Sequence, residues 1–197
     1  MRLKLFGTEI YVSFLFTAII AFLLATDKTG LFLPTLFAAI IHEVGHLLCL
    51  WACDCQPKAV RLLPTAVQIV NGFTKGIRHE AAISLCGPAA NIVTFFALYV
   101  NYNITENLWI LNFSLLNLIL ALFNLLPVWG LDGGTLLSLA LAHFFDIDRA
   151  ERIVRIVTAL FSAASFIAGV YLWVSGRLNI SAFIVAIYLM LGALIKR

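Results

Sequence analysis

The run Ile41-His42-Glu43-Val44-Gly45-His46-Leu47 places two imidazoles and one carboxylate within five residues of an apolar stretch. On a helix rising 1.5 Å per residue, His42 and His46 share a face about 6 Å apart along the axis, so both rings can reach one tetrahedral Zn²⁺. Glu43, beside the first ligand, reaches a water at the metal without binding the metal itself. It can then act as general base while zinc lowers the water's pKa towards about 7. Gly45 leaves room for a close neighbour or a substrate backbone. A structural helix carrying this pattern by chance is the alternative, and a membrane setting weakens it, since one central acid costs roughly 3 kcal/mol there. A bis-histidine haem site is disfavoured, because axial ligands approach from opposite faces of the macrocycle.

Two histidines require a third protein ligand, with the fourth position left for water. Glu80, Asp132, His79 and His143 are the candidates in or near other apolar runs. Asp132 stands out within Asn124-Leu125-Leu126-Pro127-Val128-Trp129-Gly130-Leu131-Asp132-Gly133-Gly134, where Pro127 ends a span and the glycines permit tight turns. Such a break can set a carboxylate at membrane depth, where irregular backbone lines a wet cavity. An interfacial loop aspartate is the alternative. His79 and His143 read as interfacial side chains, and Glu80 and Glu9 as headgroup-level charges.

These groups need elements to position them, and composition names the solvent. Of 197 residues, 62% are hydrophobic and 12% charged, against roughly 25% charged in a soluble domain. Mean hydropathy is +1.02, and the net charge of +3 comes from residues gathered between apolar blocks. A water-soluble globule is nearly excluded, and nucleic-acid binding is not expected without a basic stripe. At about 20 residues per span, six apolar runs fit: about Ile10 to Thr26, Leu31 to Ala52, Ile77 to Asn101, Leu108 to Pro127, Ile153 to Ser175 and Leu178 to Ile195.

Six spans put both termini on one side. With the N-terminus inside, Arg2, Lys4, Lys58, Arg61, Lys75, Arg78, Arg149, Arg152, Arg155, Lys196 and Arg197 are cytoplasmic, and only Lys28 and Arg177 lie outside. The positive-inside rule therefore places both termini in the cytoplasm of a multi-pass cell-membrane protein. Leu23-Leu24-Ala25-Thr26-Asp27 lacks a small-x-small cleavage pattern, so the first run is expected to stay as an anchor, not a signal peptide. Cys49, Cys53, Cys55 and Cys86 then face a reducing compartment. They read as small apolar helix residues, with a second metal site as the alternative. Asn103-Ile104-Thr105 is formally a glycosylation sequon and carries no weight. Between spans two and three, Ala59 to Leu63 and Thr65 to Val70 read as short strands broken by Pro64 and closed by Asn71-Gly72.

The chain resembles the site-2 protease family of intramembrane zinc metalloproteases, and within it the stage IV sporulation protein FB-like branch. The resemblance rests on Ile41 to His46, on Leu85-Cys86-Gly87-Pro88-Ala89-Ala90-Asn91, and on Asn124 to Gly134. It covers spans two to four and extends to the whole chain, because that branch has six spans. It implies His42, His46 and Asp132 as zinc ligands, Glu43 as catalytic base and Asn124 as a polar group near the scissile peptide. The Asn124 amide can donate to a developing oxyanion or hold substrate backbone, or else bond between helices. Gly87, Pro88 and Asn91 read as packing and positioning residues. Relatives place a membrane-associated sheet after span two, to which Arg2 to Phe6 can add a strand. An exposed edge there could hold an unwound substrate extended by β-addition; a solvated linker is the alternative.

The expected fold is therefore an all-α polytopic membrane protein of about six transmembrane helices, with a small membrane-associated β-hairpin or sheet between helices two and three. It forms a single domain over residues 1–197, with a catalytic core at about 31–134 and helices five and six at about 151–195. The expected activity is a zinc metalloendopeptidase cleaving within or beside a transmembrane segment of a membrane-protein substrate, near the cytoplasmic face. A zinc-binding membrane transporter is the alternative, although transport predicts an inverted repeat with paired broken helices and only one unwound segment is visible. A helical assembly factor without metal is a third reading. Neither a nucleotide-sensing domain after Lys196-Arg197 nor an inserted PDZ-type domain is expected, which puts a sporulation sigma-factor substrate in doubt.

Overall fold

The computed structural model describes residues 2–5, 8–55, 57–63, 66–71 and 76–175. In order these form β1 (Arg2–Leu5), β2 (Thr8–Val12), α1 (Phe14–Thr26), α2 (Phe32–Ala52), β3 (Pro57–Leu63), β4 (Ala66–Asn71), α3 (Ile77–Thr105), α4 (Leu108–Asn124), α5 (Asp132–Leu141) and α6 (Ile147–Val174). Two compact units divide the chain, Met1–Phe123 and Asn124–Arg197.

In the first unit the strands make one sheet in the order β1-β2-β3-β4. β1 and β2 pair antiparallel with Leu3 opposite Ile10, β2 runs parallel to β3 with Ile10 opposite Val60, and β3 and β4 pair antiparallel with Val60 opposite Ile69. A parallel pair demands a long crossover, and α1 with α2 supplies it. Ile10, Tyr11 and Val12, read above as the start of the first span, belong to β2. Three consecutive β-branched or aromatic residues favour the pleated strand, and the helix begins only after Ser13.

Asp27 closes the turn between α1 and α2. Its carboxylate accepts from the Thr29 hydroxyl at 2.7 Å, the Thr29 and Gly30 amides at 2.9 and 3.1 Å, and the Phe32 amide at 3.0 Å. The last of these satisfies the first N–H of α2, which has no intrahelical partner. Proline at position 34 falls in the first turn of α2, where a missing N–H costs nothing.

α2 packs on α3 through small residues. A Cβ added to Gly45 would meet the Cys86 carbonyl oxygen at 2.6 Å and the Ala90 Cβ at 2.8 Å, so only glycine allows this approach. At the far end of α2, Leu50, Cys55 and Ile83 form a small apolar core.

In the second unit α5 packs on α6. The expectation of an uninterrupted run to Pro127 gives way to a helix ending at Asn124, followed by a turn and the short helix α5. Pro127 restricts Leu126 away from helical backbone, which explains the early stop. α6 starts at Ile147 and not at Ile153, because Asp148, Arg149, Glu151 and Arg152 lie on an amphipathic first section. Glu151 and Arg155 pair at 3.6 Å along that section.

α2, α3 and α6 are long and apolar enough to cross a membrane among the described residues, while α1 and α4 are shorter apolar helices. The expected sixth span, Leu178 to Ile195, lies outside the described residues. Burial is inverted relative to a soluble protein. Val93, Phe96, Val100 and Ile104 make an exposed stripe along α3, up to 79% exposed at Ile104, whereas Asn91, Ser114, Asn117 and Thr158 are wholly buried. Apolar outside and polar inside is what a lipid solvent selects, and the chain is a membrane protein.

Candidate metal centre

In the first unit His42 and His46 lie on the buried face of α2, one turn apart, with Glu43 half-buried between them. Their Nε2 atoms face each other at 3.1 Å, and the rings meet edge to face. Each Nδ1 is engaged elsewhere. His46 Nδ1 is 2.7 Å from the Ile83 carbonyl oxygen, which can only accept, so this nitrogen carries the proton.

His42 Nδ1 is 3.0 Å from Asn91 Oδ1. Which end of the Asn91 amide faces the ring is decided by a chain of bonds with backbone carbonyls at its ends. Asn117 donates through Nδ2 to the Phe113 carbonyl at 2.8 Å, which turns its Oδ1 towards Asn91. Asn91 Nδ2 then donates to that Oδ1 at 2.9 Å and to the Ala38 carbonyl at 3.0 Å, leaving its own Oδ1 for His42. Both histidines are therefore Nδ1–H tautomers that present Nε2 lone pairs to one another.

Two lone pairs converging at this distance repel unless a cation lies between them. Tetrahedral zinc with two nitrogens at 2.0–2.1 Å sets those nitrogens roughly 3.3 Å apart, so this pair suits it. Gly87 completes the cradle. A Cβ there would run into His46 Nε2 and approach His42 Cε1 at 2.9 Å. Pro88 follows, removing the N–H that would serve the Ser84 carbonyl, and the Ile83 carbonyl beside it takes the His46 proton.

In the second unit Asn124 ends α4 and Asp132 opens α5, both half-buried. The backbone between them is tied to α6. The Trp129 amide donates to Thr158 Oγ1 at 2.7 Å, the Thr158 hydroxyl donates to the Val154 carbonyl at 2.8 Å, and the Arg155 guanidinium lies 4.6 Å over the Trp129 ring. Gly133 and Gly134 sit against the Leu125 and Val128 carbonyls, where a Cβ would collide. Asp132 thus stands on a turn with little freedom, its charge favourable at a helix N-terminus.

His79 and Glu80 are in the first turn of α3, and His143 is exposed beyond α5, edge-on to Phe144. Glu9 falls in β2. Sequence reading missed Asn117 and Thr158. The usable signal was a buried polar side chain inside an apolar run, as in Leu115-Leu116-Asn117-Leu118-Ile119.

Residues 101–168, which include Asn124 and Asp132 but not the histidine pair, match the model for Peptidase family M50. The chain is 29% identical over 134 residues to Stage IV sporulation protein FB of Bacillus subtilis (strain 168), covering 66% of this chain and 46% of that protein. It is 22% identical over 196 residues to Zinc metalloprotease MJ0392 of Methanocaldococcus jannaschii, covering 94% of this chain and 56% of that relative. The chain therefore spans about half the length of these two relatives. Its fold matches the Site-2 Protease from Methanocaldococcus jannaschii with a TM-score of 0.73 and 22% identity, over 98% of this chain and 93% of that one. By fold the chain is similar to the solved site-2 protease, and by sequence its residues 101–168 match Peptidase family M50.

Proposed function

We propose that the chain is an intramembrane zinc metalloprotease, hydrolysing a peptide bond within or beside a transmembrane segment of a membrane protein near the cytoplasmic face. The observation that carries this is the 3.1 Å convergence of the His42 and His46 Nε2 atoms, each ring locked in the tautomer that offers a lone pair.

His42, His46 and Asp132 together offer two nitrogens and one carboxylate oxygen, the ligand set of a catalytic zinc site with a place left for water. Bound zinc would polarise the scissile carbonyl and lower the pKa of the attacking water. Glu43 takes the proton from that water and returns it to the departing amide nitrogen. Asn124 holds the substrate carbonyl or the backbone beside it. Residues 1–197 work as one domain in this reading.

The chain crosses the cell membrane about six times with both termini in the cytoplasm, as the distribution of Lys and Arg favours. The four-stranded sheet lies at the membrane surface, where an edge strand holds the unwound substrate by β-addition. A peptide bond inside a helix is shielded by its own hydrogen bonds, so unwinding must precede attack.

The names of the relatives give no support to the zinc-transporter alternative. The test compares membrane proteomes of cells carrying the wild-type chain or Glu43→Gln. Truncated membrane proteins that appear only with the wild type support the proposal, and identical proteomes with zinc bound to both chains refute it.

A further inference from the structure

The polar chain behind His42 has more members than a metal ligand needs for packing. Asn91 and Asn117 are wholly buried, and each asparagine lies on a different helix from the residue it serves next: α2 for His42, α3 for Asn91, α4 for Asn117. Asn91 uses three of its hydrogen-bonding positions, accepting from His42 Nδ1 at 3.0 Å and donating to Ala38 O at 3.0 Å and Asn117 Oδ1 at 2.9 Å. Asn117 in turn is oriented by its 2.8 Å bond to Phe113 O. Rotating the Asn91 amide by half a turn would set its oxygen against the Ala38 carbonyl and Asn117 Oδ1, and rotating Asn117 would set its oxygen against the Phe113 carbonyl and its NH₂ against that of Asn91. His46 has no such device, because a backbone carbonyl already dictates its tautomer.

We infer that Asn91 is a positioning residue for the metal centre, with Asn117 as its anchor: the pair holds His42 in the Nδ1–H tautomer and so sets how tightly zinc is held. The inference rests on the zinc reading for its second half only, since the tautomer exists without metal. A neutral imidazole in water prefers the Nε2–H form modestly, and that form would point a proton at His46 and block coordination. The Asn91 oxygen removes that competitor. An apolar residue at position 91 would leave His42 to choose, and part of the metal affinity would go to reversing the choice. Loss of a partner of this kind lowers metal affinity by about 10–100-fold.

The experiment uses the full chain in detergent, carrying isotope-labelled histidine, with the ring signals assigned through a His42→Gln control. Nuclear magnetic resonance reads the His42 ring nitrogens without metal, and a chelator competition reads zinc affinity. Asn91→Leu removes the acceptor, whereas Asn91→Asp keeps an acceptor while losing both donors. The expected result is an Nε2–H population and about 10–100-fold weaker zinc in Asn91→Leu, with the wild-type tautomer and most of the affinity recovered in Asn91→Asp. If Asn91→Leu loses its helical circular dichroism, Asn117→Leu takes its place with the same readouts, because it removes one of the two acceptors that orient the Asn91 amide. The inference is overturned if the His42 signals or the zinc affinity stay at wild-type values. It is equally overturned if Asn91→Asp falls as far as Asn91→Leu, which is what simple packing predicts. A wild-type chain that takes up no zinc sinks the zinc reading instead, and the ring signals alone then decide for or against Asn91.

Discussion

His42 Nδ1 lies 3.0 Å from the side-chain oxygen of Asn91, and this bond across two helices decides which ring nitrogen faces His46. A buried histidine with one nitrogen committed has its other nitrogen defined by subtraction. The same subtraction operates at His46 through the Ile83 carbonyl. The two rings are therefore prepared for a shared cation before any cation arrives.

Glu43→Gln keeps the shape of the side chain and removes its basicity. Cleavage of a co-expressed membrane substrate should fall by about 10²–10⁴-fold, the usual contribution of a general base. Zinc content by atomic emission should stay at the wild-type ratio. Loss of zinc together with activity would make Glu43 a structural residue.

Asp132→Ala and His46→Ala each remove one proposed ligand. Purified protein should lose its bound zinc while its helical circular dichroism persists, since each helix keeps its own backbone hydrogen bonds in a lipid-like solvent. A divalent-metal chelator should abolish cleavage by the wild type, and added zinc should restore it. Equal zinc in wild type and Asp132→Ala would remove Asp132 from the site.

Gly87→Ala tests the cradle. The new methyl would press on both imidazoles, with His42 Cε1 at 2.9 Å, and overpacking of this kind costs roughly 1–3 kcal/mol. The variant should melt earlier and bind zinc more weakly than Ala89→Gly, a change at an exposed neighbour. Unchanged zinc affinity would mean that the rings can move aside.

Thr158→Val is nearly isosteric and removes the acceptor of the Trp129 amide. An amide deprived of its partner in a half-buried site costs about 1–3 kcal/mol. Hydrogen exchange at Trp129 should quicken, and cleavage should drop if the turn positions Asp132. Wild-type protection at Trp129 would show that the Arg155 ring contact holds the turn alone.

Asp27 lies in the turn between α1 and α2. Its carboxyl is held below the ordinary value chiefly by the Thr29 hydroxyl, then by the Phe32 and Thr29 amides. Folding lowers this pKa, so the stability it contributes is complete above the unfolded-state value and is lost as pH falls through the folded one. Thermal unfolding in detergent followed from neutral to acid pH should show a loss in the wild type that Asp27→Asn lacks. Parallel curves for the two proteins would rule out the turn as a source of acid sensitivity.

The His42-Glu43-Val44-Gly45-His46 pattern and the membrane setting were readable in one dimension, because each depends on spacing or on composition within a single run. His42 and His46 share a helix face at any tertiary arrangement, and Glu43 comes with them. The break around Pro127 and Asp132 was equally legible, since proline and glycine act on local backbone. Ile10 to Val12 were misread as helix because hydropathy alone does not separate a strand from a span, and pairing with β3 some fifty residues later decides it. Which histidine nitrogen is exposed was out of reach for the same reason. That choice depends on an oxygen of Asn91 whose own direction is set from Asn117 and Phe113, and only the packing of α2, α3 and α4 brings those groups within hydrogen-bonding distance.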